Sequence, residues 1–163
     1  MKEIILQTKI TEFAADELPE DFRKLADTAL RAAETAYDRY SHFQVGAAVL
    51  LANGEVICGS NQENAAYPSG LCAERVALFY AGAKYPDTPV CALAIAAISE
   101  GRQVKNITPC GACRQVLLEV ENRYNHPVKV LLCNADCILQ IENAKSLLPL
   151  CFDGGELPGA SHS

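Results

Sequence analysis

Two short clusters in this 163-residue sequence hold residues able to bind a metal and move a proton: Cys72-Ala73-Glu74 and, further along, Pro109-Cys110-Gly111-Ala112-Cys113. Cys110 and Cys113 stand three apart, so on the first turn of a helix their thiols point to one side. There the helix dipole and the free N–H groups favour thiolates. Thiolate is the form that ligates metal. One thiolate from one helix and two from another fall short of the four ligands of a closed structural zinc site, which leaves a position open to water. Glu74, two residues after Cys72, is close enough to such a water to take its proton and pass it on.

Each feature has a plainer reading when taken alone. A Cys-x-x-Cys pair also fits a thiol redox couple or half of a zinc ribbon, but no second Cys-x-x-Cys completes a ribbon. Glu74 by itself would be an acid favouring the positive end of a helix dipole. Cys133 and Cys137, four apart across an Asn-Ala-Asp turn, are further candidates for a fourth ligand, although their strand-end setting favours burial.

Bulk properties narrow the partners. Fourteen basic against twenty acidic residues give a formal charge of −6, opposite in sign to the footprint a nucleic-acid backbone selects, so a small uncharged ligand is expected and no nucleic acid. The longest apolar run, residues 90–98, is far below the roughly 20 residues of a membrane span. The first ten residues mix Lys2, Glu3, Gln7 and Lys9 with apolar side chains and lead to no cleavage-like site. A cytoplasmic address is expected, in which a disulfide framework is disfavoured. Cys58, Cys91, Cys133, Cys137 and Cys151 are therefore read as small buried hydrophobes.

The elements that must position the clusters emerge from periodicity. Residues 18–40 carry Leu18, Phe22, Leu25, Ala29, Ala33, Tyr37 and Tyr40 at helical spacing, which predicts an amphipathic helix starting near Pro19. Residues 44–51 and 55–59 flank Ala52-Asn53-Gly54 as an antiparallel hairpin. Residues 72–83 and 110–124 read as helices opened by the two cysteine clusters, and residues 90–98 and 128–133 as strands buried on both faces. Residues 1–11 fit an edge strand or a loosely ordered extension equally well, and residues 99–108 read as a flexible connection. The order of elements is that of an α/β domain.

Four separated motifs also agree in one register. Tyr40-Ser41-x-Phe43-x-Val45-Gly46-Ala47-Ala48, Asn61-Gln62-Glu63-Asn64-Ala65-Ala66-Tyr67 and Cys72-Ala73-Glu74-Arg75 with Pro109-Cys110-Gly111-Ala112-Cys113-Arg114-Gln115 resemble the small zinc-dependent cytidine deaminases. The resemblance covers residues 18–152 as a catalytic domain, with residues 1–17 as an extension and 153–163 as a tail. It implies a three-layer α/β/α fold with a central mixed sheet flanked by helices. It also implies hydrolytic deamination of cytidine and 2′-deoxycytidine in pyrimidine salvage, by attack of zinc-bound hydroxide on C4.

Residue by residue, the resemblance implies one zinc ion per subunit on Cys72, Cys110 and Cys113, with Glu74 as proton shuttle. Phe43 would stack on the pyrimidine and Asn61 and Glu63 would hold ribose hydroxyls. The Ala73 N–H and Thr108 carbonyl would read the base, while Arg75 and Gln115 would support the ligands. Tyr67 and Phe152 would reach a neighbouring subunit's site in a homotetramer whose active sites lie at subunit interfaces. The extension before Leu18, the long 99–108 loop and Gln44, where proline is frequent, depart from the family's shortest members. Rival readings are a deaminase of a modified, blasticidin-type cytosine nucleoside, an inactive zinc-stabilised binding domain, and a thiol redox protein.

Overall fold

The computed structural model describes residues 1–14 and 16–157; the end of the expected C-terminal tail lies outside them. In chain order the elements are β1 (Ile10–Phe13), α1 (Glu20–Ala33), β2 (Phe43–Leu51), β3 (Val56–Ser60), α2 (Ala73–Lys84), β4 (Val90–Ser99), β5 (Arg102–Gln103), α3 (Gly111–Tyr124), β6 (Lys129–Cys133) and β7 (Ile138–Ile141). Short 3₁₀ turns span Tyr67–Ser69 and Ala144–Leu147. Seven strands form one sheet, six of them in the order β1-β7-β6-β4-β2-β3 and β5 paired to β4 off that path. The β4–β6 pairing is parallel and the rest are antiparallel, so the sheet is mixed.

Alternation along the central strands sends side chains into two separate cores, as the period of two requires. Ala47, Val49, Leu51, Leu93, Ile95, Val130 and Leu132 meet Ala77, Leu78 and Leu117 of α2 and α3 on one face. Ala48, Ala92, Ala94, Ala96, Leu131 and Cys133 meet Leu25, Ala26 and Ala29 of α1 on the other. These are the three layers expected. The α1 face is alanine-rich because the helix lies close: a Cβ on Gly46 would stand 2.0 Å from the Ala29 carbonyl oxygen. Gly59 does the same for α2, since a Cβ there would meet the Ala73 carbonyl oxygen at 2.7 Å. β3 can therefore press against the very turn that carries Cys72 and Glu74.

Several expectations need correction. α1 ends at Ala33, not near residue 40. The Thr35 hydroxyl turns to the Ala32 carbonyl and Ser60 Oγ, and Tyr37 exchanges hydrogen bonds with residues 61 and 63. The chain there runs along the polar loop instead of continuing a helix. The edge strand is real but spans Ile10–Phe13, and its partner β7 has no counterpart among the elements expected from the sequence. The 99–108 connection is not free: Glu100 and Gly101, both at positive φ, turn the chain tightly and β5 pairs back on β4. Among the five cysteines read as buried, Cys133 alone is; there burial pushes the thiol up to about 12. Cys58 is exposed, because β3 is an edge strand and Ile57 takes its inward position; Cys91, Cys137 and Cys151 are partly covered.

Candidate active site

Cys72 and Cys110 occupy equivalent places. Each is the extended residue just before a helix, at φ −70° and −66°, on α2 and α3 respectively. Cys113 lies one turn into α3 and is fully buried. The parallel β4–β6 pairing and the helices packed on one face of the sheet bring the two helix starts together. The Cys72 and Cys110 sulfurs are 3.8 Å apart, those of Cys110 and Cys113 are 3.5 Å apart, and all three lie within 4.8 Å of one another.

This donor set suits zinc. Ligands at about 2.3 Å in a tetrahedral shell stand roughly 3.8 Å from each other, and three thiolates select a soft or borderline metal. Without metal the sulfurs share protons. Donation from the Cys113 thiol, then from Arg75 and Cys110, lowers Cys72 to about 5, while Cys113 is raised by that same bond. Metal would replace those protons. Cys133 and Cys137 take no part in the cluster.

Arg75, one helical turn after Cys72, donates from Nη2 to the Cys72 sulfur at 3.7 Å, and its buried Nε has no partner among the described residues. Its charge opposes the negative charge that three thiolates accumulate. Glu74 is only 4% exposed, yet it lines the cleft in front of the sulfurs. Burial pushes its carboxyl above the ordinary carboxylate range. Ala73, between ligand and acid, is fully buried, and its N–H belongs to a first turn whose donors lack helical partners.

The cleft has a volume of about 760 Å³ and is lined by Tyr40, Ser41, Phe43, Val45, Asn61, Gln62, Glu63, Asn64, Tyr67, Gly70, Leu71, Cys72, Glu74, Arg75, Ile107, Thr108 and Cys110. All the residues singled out from the sequence converge here except Ala73, Cys113, Gln115 and Phe152. Gln115 donates instead to the Phe152 carbonyl at 2.8 Å, tying the C-terminal segment to α3. Phe152 is 66% exposed, and Tyr67, on the cleft rim, 82%.

Asn61 and Glu63 are both partly engaged by the protein. Asn61 Oδ1 accepts from the Val45 N–H at 2.7 Å and its Nδ2 donates to the Phe43 carbonyl at 3.0 Å. This bracket fixes the strand entrance that carries the Phe43 ring. Glu63 Oε2 accepts from the Tyr40 and Ser41 N–H groups at 2.7 and 3.2 Å, and no bond of the described residues ends on Oε1. The Ser41 side chain and then the Tyr40 N–H hold this carboxyl below its ordinary value of 4.5. Sequence reasoning missed Arg114, which donates to the Pro109 and Leu147 carbonyls, and Asn134, which bonds the Ile107 N–H. Asn134 lies outside the motifs, and Arg114, though inside one, gave no sign of its bond to the distant Leu147 carbonyl.

Comparison with known proteins agrees with this geometry. Residues 19–125 match the family model described as the cytidine and deoxycytidylate deaminase zinc-binding region. The chain is 40% identical over 137 residues to the cytidine deaminase of Halalkalibacterium halodurans, covering 84% of this chain and 98% of that protein. Its fold matches the crystal structure of cytidine deaminase from Burkholderia pseudomallei with a TM-score of 0.67 at 39% identity, over 79% and 97% of the two chains. The structure of the enzyme from Mycobacterium tuberculosis gives 0.61 at 34%, over 82% and 98%. Matched along nearly the full length of these relatives, with a three-cysteine cluster where a zinc-binding region is matched, the chain belongs to the cytidine deaminase family of enzymes.

Proposed function

We propose that this chain converts cytidine and 2′-deoxycytidine to the corresponding uridine nucleosides with release of ammonia, with one zinc ion held by Cys72, Cys110 and Cys113. The observation that carries this reading is the meeting, in one cleft, of a three-thiolate cluster, a buried acid and a separate polar rim. Zinc, when bound by the three thiolates, supplies the Lewis acidity that makes water nucleophilic near neutral pH.

The chain's own groups do the rest. Glu74 takes one proton of the attacking water and gives it to the ring nitrogen N3, then takes the second from the hydroxyl now on C4 and passes it to the amine, which leaves as ammonia as the C4–N bond breaks and the C4 carbonyl forms; a carboxyl raised by burial is matched to both directions of transfer. Phe43 presents its ring to the pyrimidine at the cleft wall. The Ala73 N–H and the Thr108 carbonyl read the base edge, one as donor and one as acceptor. The free Oε1 of Glu63 and the remaining valences of Asn61 take the sugar hydroxyls. Arg75 draws charge from the Cys72 sulfur and so restores acidity to a metal held by three anions. Gln115 supports the site at one remove, through the C-terminal segment it binds.

The exposed Tyr67 and Phe152 support a homotetramer in which these rings meet a neighbour's cleft. The same reading gives a cytoplasmic enzyme of pyrimidine salvage; no described helix is long and apolar enough to cross a membrane. The test is ammonia release by the zinc-loaded protein from cytidine, 2′-deoxycytidine, free cytosine and CMP. Turnover of the two nucleosides alone is expected. Absence of turnover from all four overturns the reading in favour of a modified cytosine nucleoside or a zinc-stabilised binding domain.

A further inference from the structure

The segment that leads into the cysteines of α3 is gripped from the end of β6 at three points. Gln103 Nε2 donates to the Cys133 carbonyl at 2.9 Å, and the Ala135 N–H donates to the Val104 carbonyl at 3.0 Å. Nearest the cysteines, the Ile107 N–H donates to Asn134 Oδ1 at 2.8 Å. That third bond is buried: Asn134 and Ile107 are each 7% exposed. Asn134 is itself fixed, since its N–H donates to the Cys137 carbonyl at 3.0 Å in the turn before β7. The bond therefore joins two stiff pieces.

The residues just after Ile107 give the bond its consequence. Thr108 lines the cleft, while Ile107 and Pro109 on either side are buried. A residue before proline is restricted to extended backbone, so once residue 107 is held, little freedom remains in the direction of the Thr108 carbonyl. We infer that Asn134, outside the cleft, is a positioning residue that aims the Thr108 carbonyl at the exocyclic amino group of the substrate base. This rests on the deaminase reading above. Removing the Asn134 oxygen strands a buried N–H, and the segment moves to find another partner.

The test compares wild type, Asn134→Ala and Asn134→Asp, each checked for fold and zinc content, on two ligands. Cytidine carries the amino group; 2-pyrimidinone ribonucleoside, used as a competitive inhibitor, lacks it. Asn134→Ala is expected to lower kcat/KM for cytidine about tenfold, and to change the inhibition constant far less. Asn134→Asp keeps an acceptor and is expected to return to within about threefold of wild type. If Asn134→Ala does not fold, Asn134→Ser, too short to reach the Ile107 N–H, replaces it with the same expectation. A folded Ala or Ser variant with wild-type kcat/KM, or with equal losses toward both ligands, overturns the inference. An inactive wild type overturns the deaminase reading instead.

Discussion

Two buried glutamates sit on neighbouring helices of this protein and have opposite surroundings. Glu121, near the end of α3 and 8% exposed, accepts from the Val128, Ala144 and Lys145 N–H groups at 2.7, 2.6 and 2.9 Å. It closes the turn into β6 and anchors the 3₁₀ turn before the C-terminal segment. Glu74, on the first turn of α2 and 4% exposed, faces the cysteine cluster across an open cleft. Burial alone does not distinguish them. A buried carboxylate whose lone pairs are consumed by backbone donors is scaffold; one that keeps acceptor capacity toward a cleft is placed for chemistry.

The sharpest way to break this contrast is to remove one oxygen from each. Glu74→Gln is expected to reduce turnover about a thousandfold while zinc content and melting temperature stay near wild type, the scale of a lost proton carrier. Glu121→Gln sets an NH2 group against the Lys145 N–H, or against those of Val128 and Ala144 if the amide is turned over, which costs about 3 kcal/mol and lowers the melting temperature by roughly 10 °C. Turnover per folded molecule should hardly change. A thermal melt beside an ammonia assay checks both, and the contrast is lost if the two variants behave alike.

Cysteines offer the same contrast at a second pair of positions. Cys110→Ala is expected to lose both zinc and turnover, whereas Glu74→Gln loses turnover and keeps the metal; zinc content per chain separates them. Cys58, exposed on edge strand β3, serves as the control, and Cys58→Ser should alter stability by no more than about 0.5 kcal/mol.

Local patterns made most of this legible. The apolar runs of β4 and β6, the Asn53-Gly54 hairpin turn and the helix-opening clusters each encode an element within a few residues. Features fixed by distant partners were silent. β7 has four residues, too few to display a period of two, and is held between β6 and β1; β1, equally short, was left undecided between edge strand and extension because only its pairing with β7 settles it. Tyr37 and Tyr40 extended the helical spacing of α1 by coincidence and belong to the cleft loop. Cys58 misled because its residue type favours burial while its position on the pleat does not. At the site, ligands and acid were legible because metal chemistry restricts residue type. The grips of Glu121 and Asn134 on distant main chain were not, since nothing in their neighbourhood marks them, and the motif that holds Arg114 does not show its reach to Leu147.

Glu63 sits between the two extremes and sharpens the rule. One oxygen is consumed as in Glu121, by the Tyr40 and Ser41 N–H groups, and the other is open to the cleft as in Glu74. It should therefore show a modest effect of both kinds. Its carboxyl is held below the ordinary 4.5, by the Ser41 side chain first and the Tyr40 N–H next, so the charged form is the one the fold favours. A depressed value means that the tie to residues 40 and 41 is fully present above pH 4.5 and is lost as pH falls through the lowered value. KM for cytidine is accordingly expected to carry no Glu63 contribution to its pH dependence between neutrality and about pH 5, and to rise below 4.5. Glu63→Gln, which keeps an acceptor oxygen but no charge, should raise KM about fivefold and remove that acid rise. Profiles of KM against pH for the two proteins decide it: an unchanged acid limb in the variant would assign the rise to another group and leave Glu63 as scaffold alone.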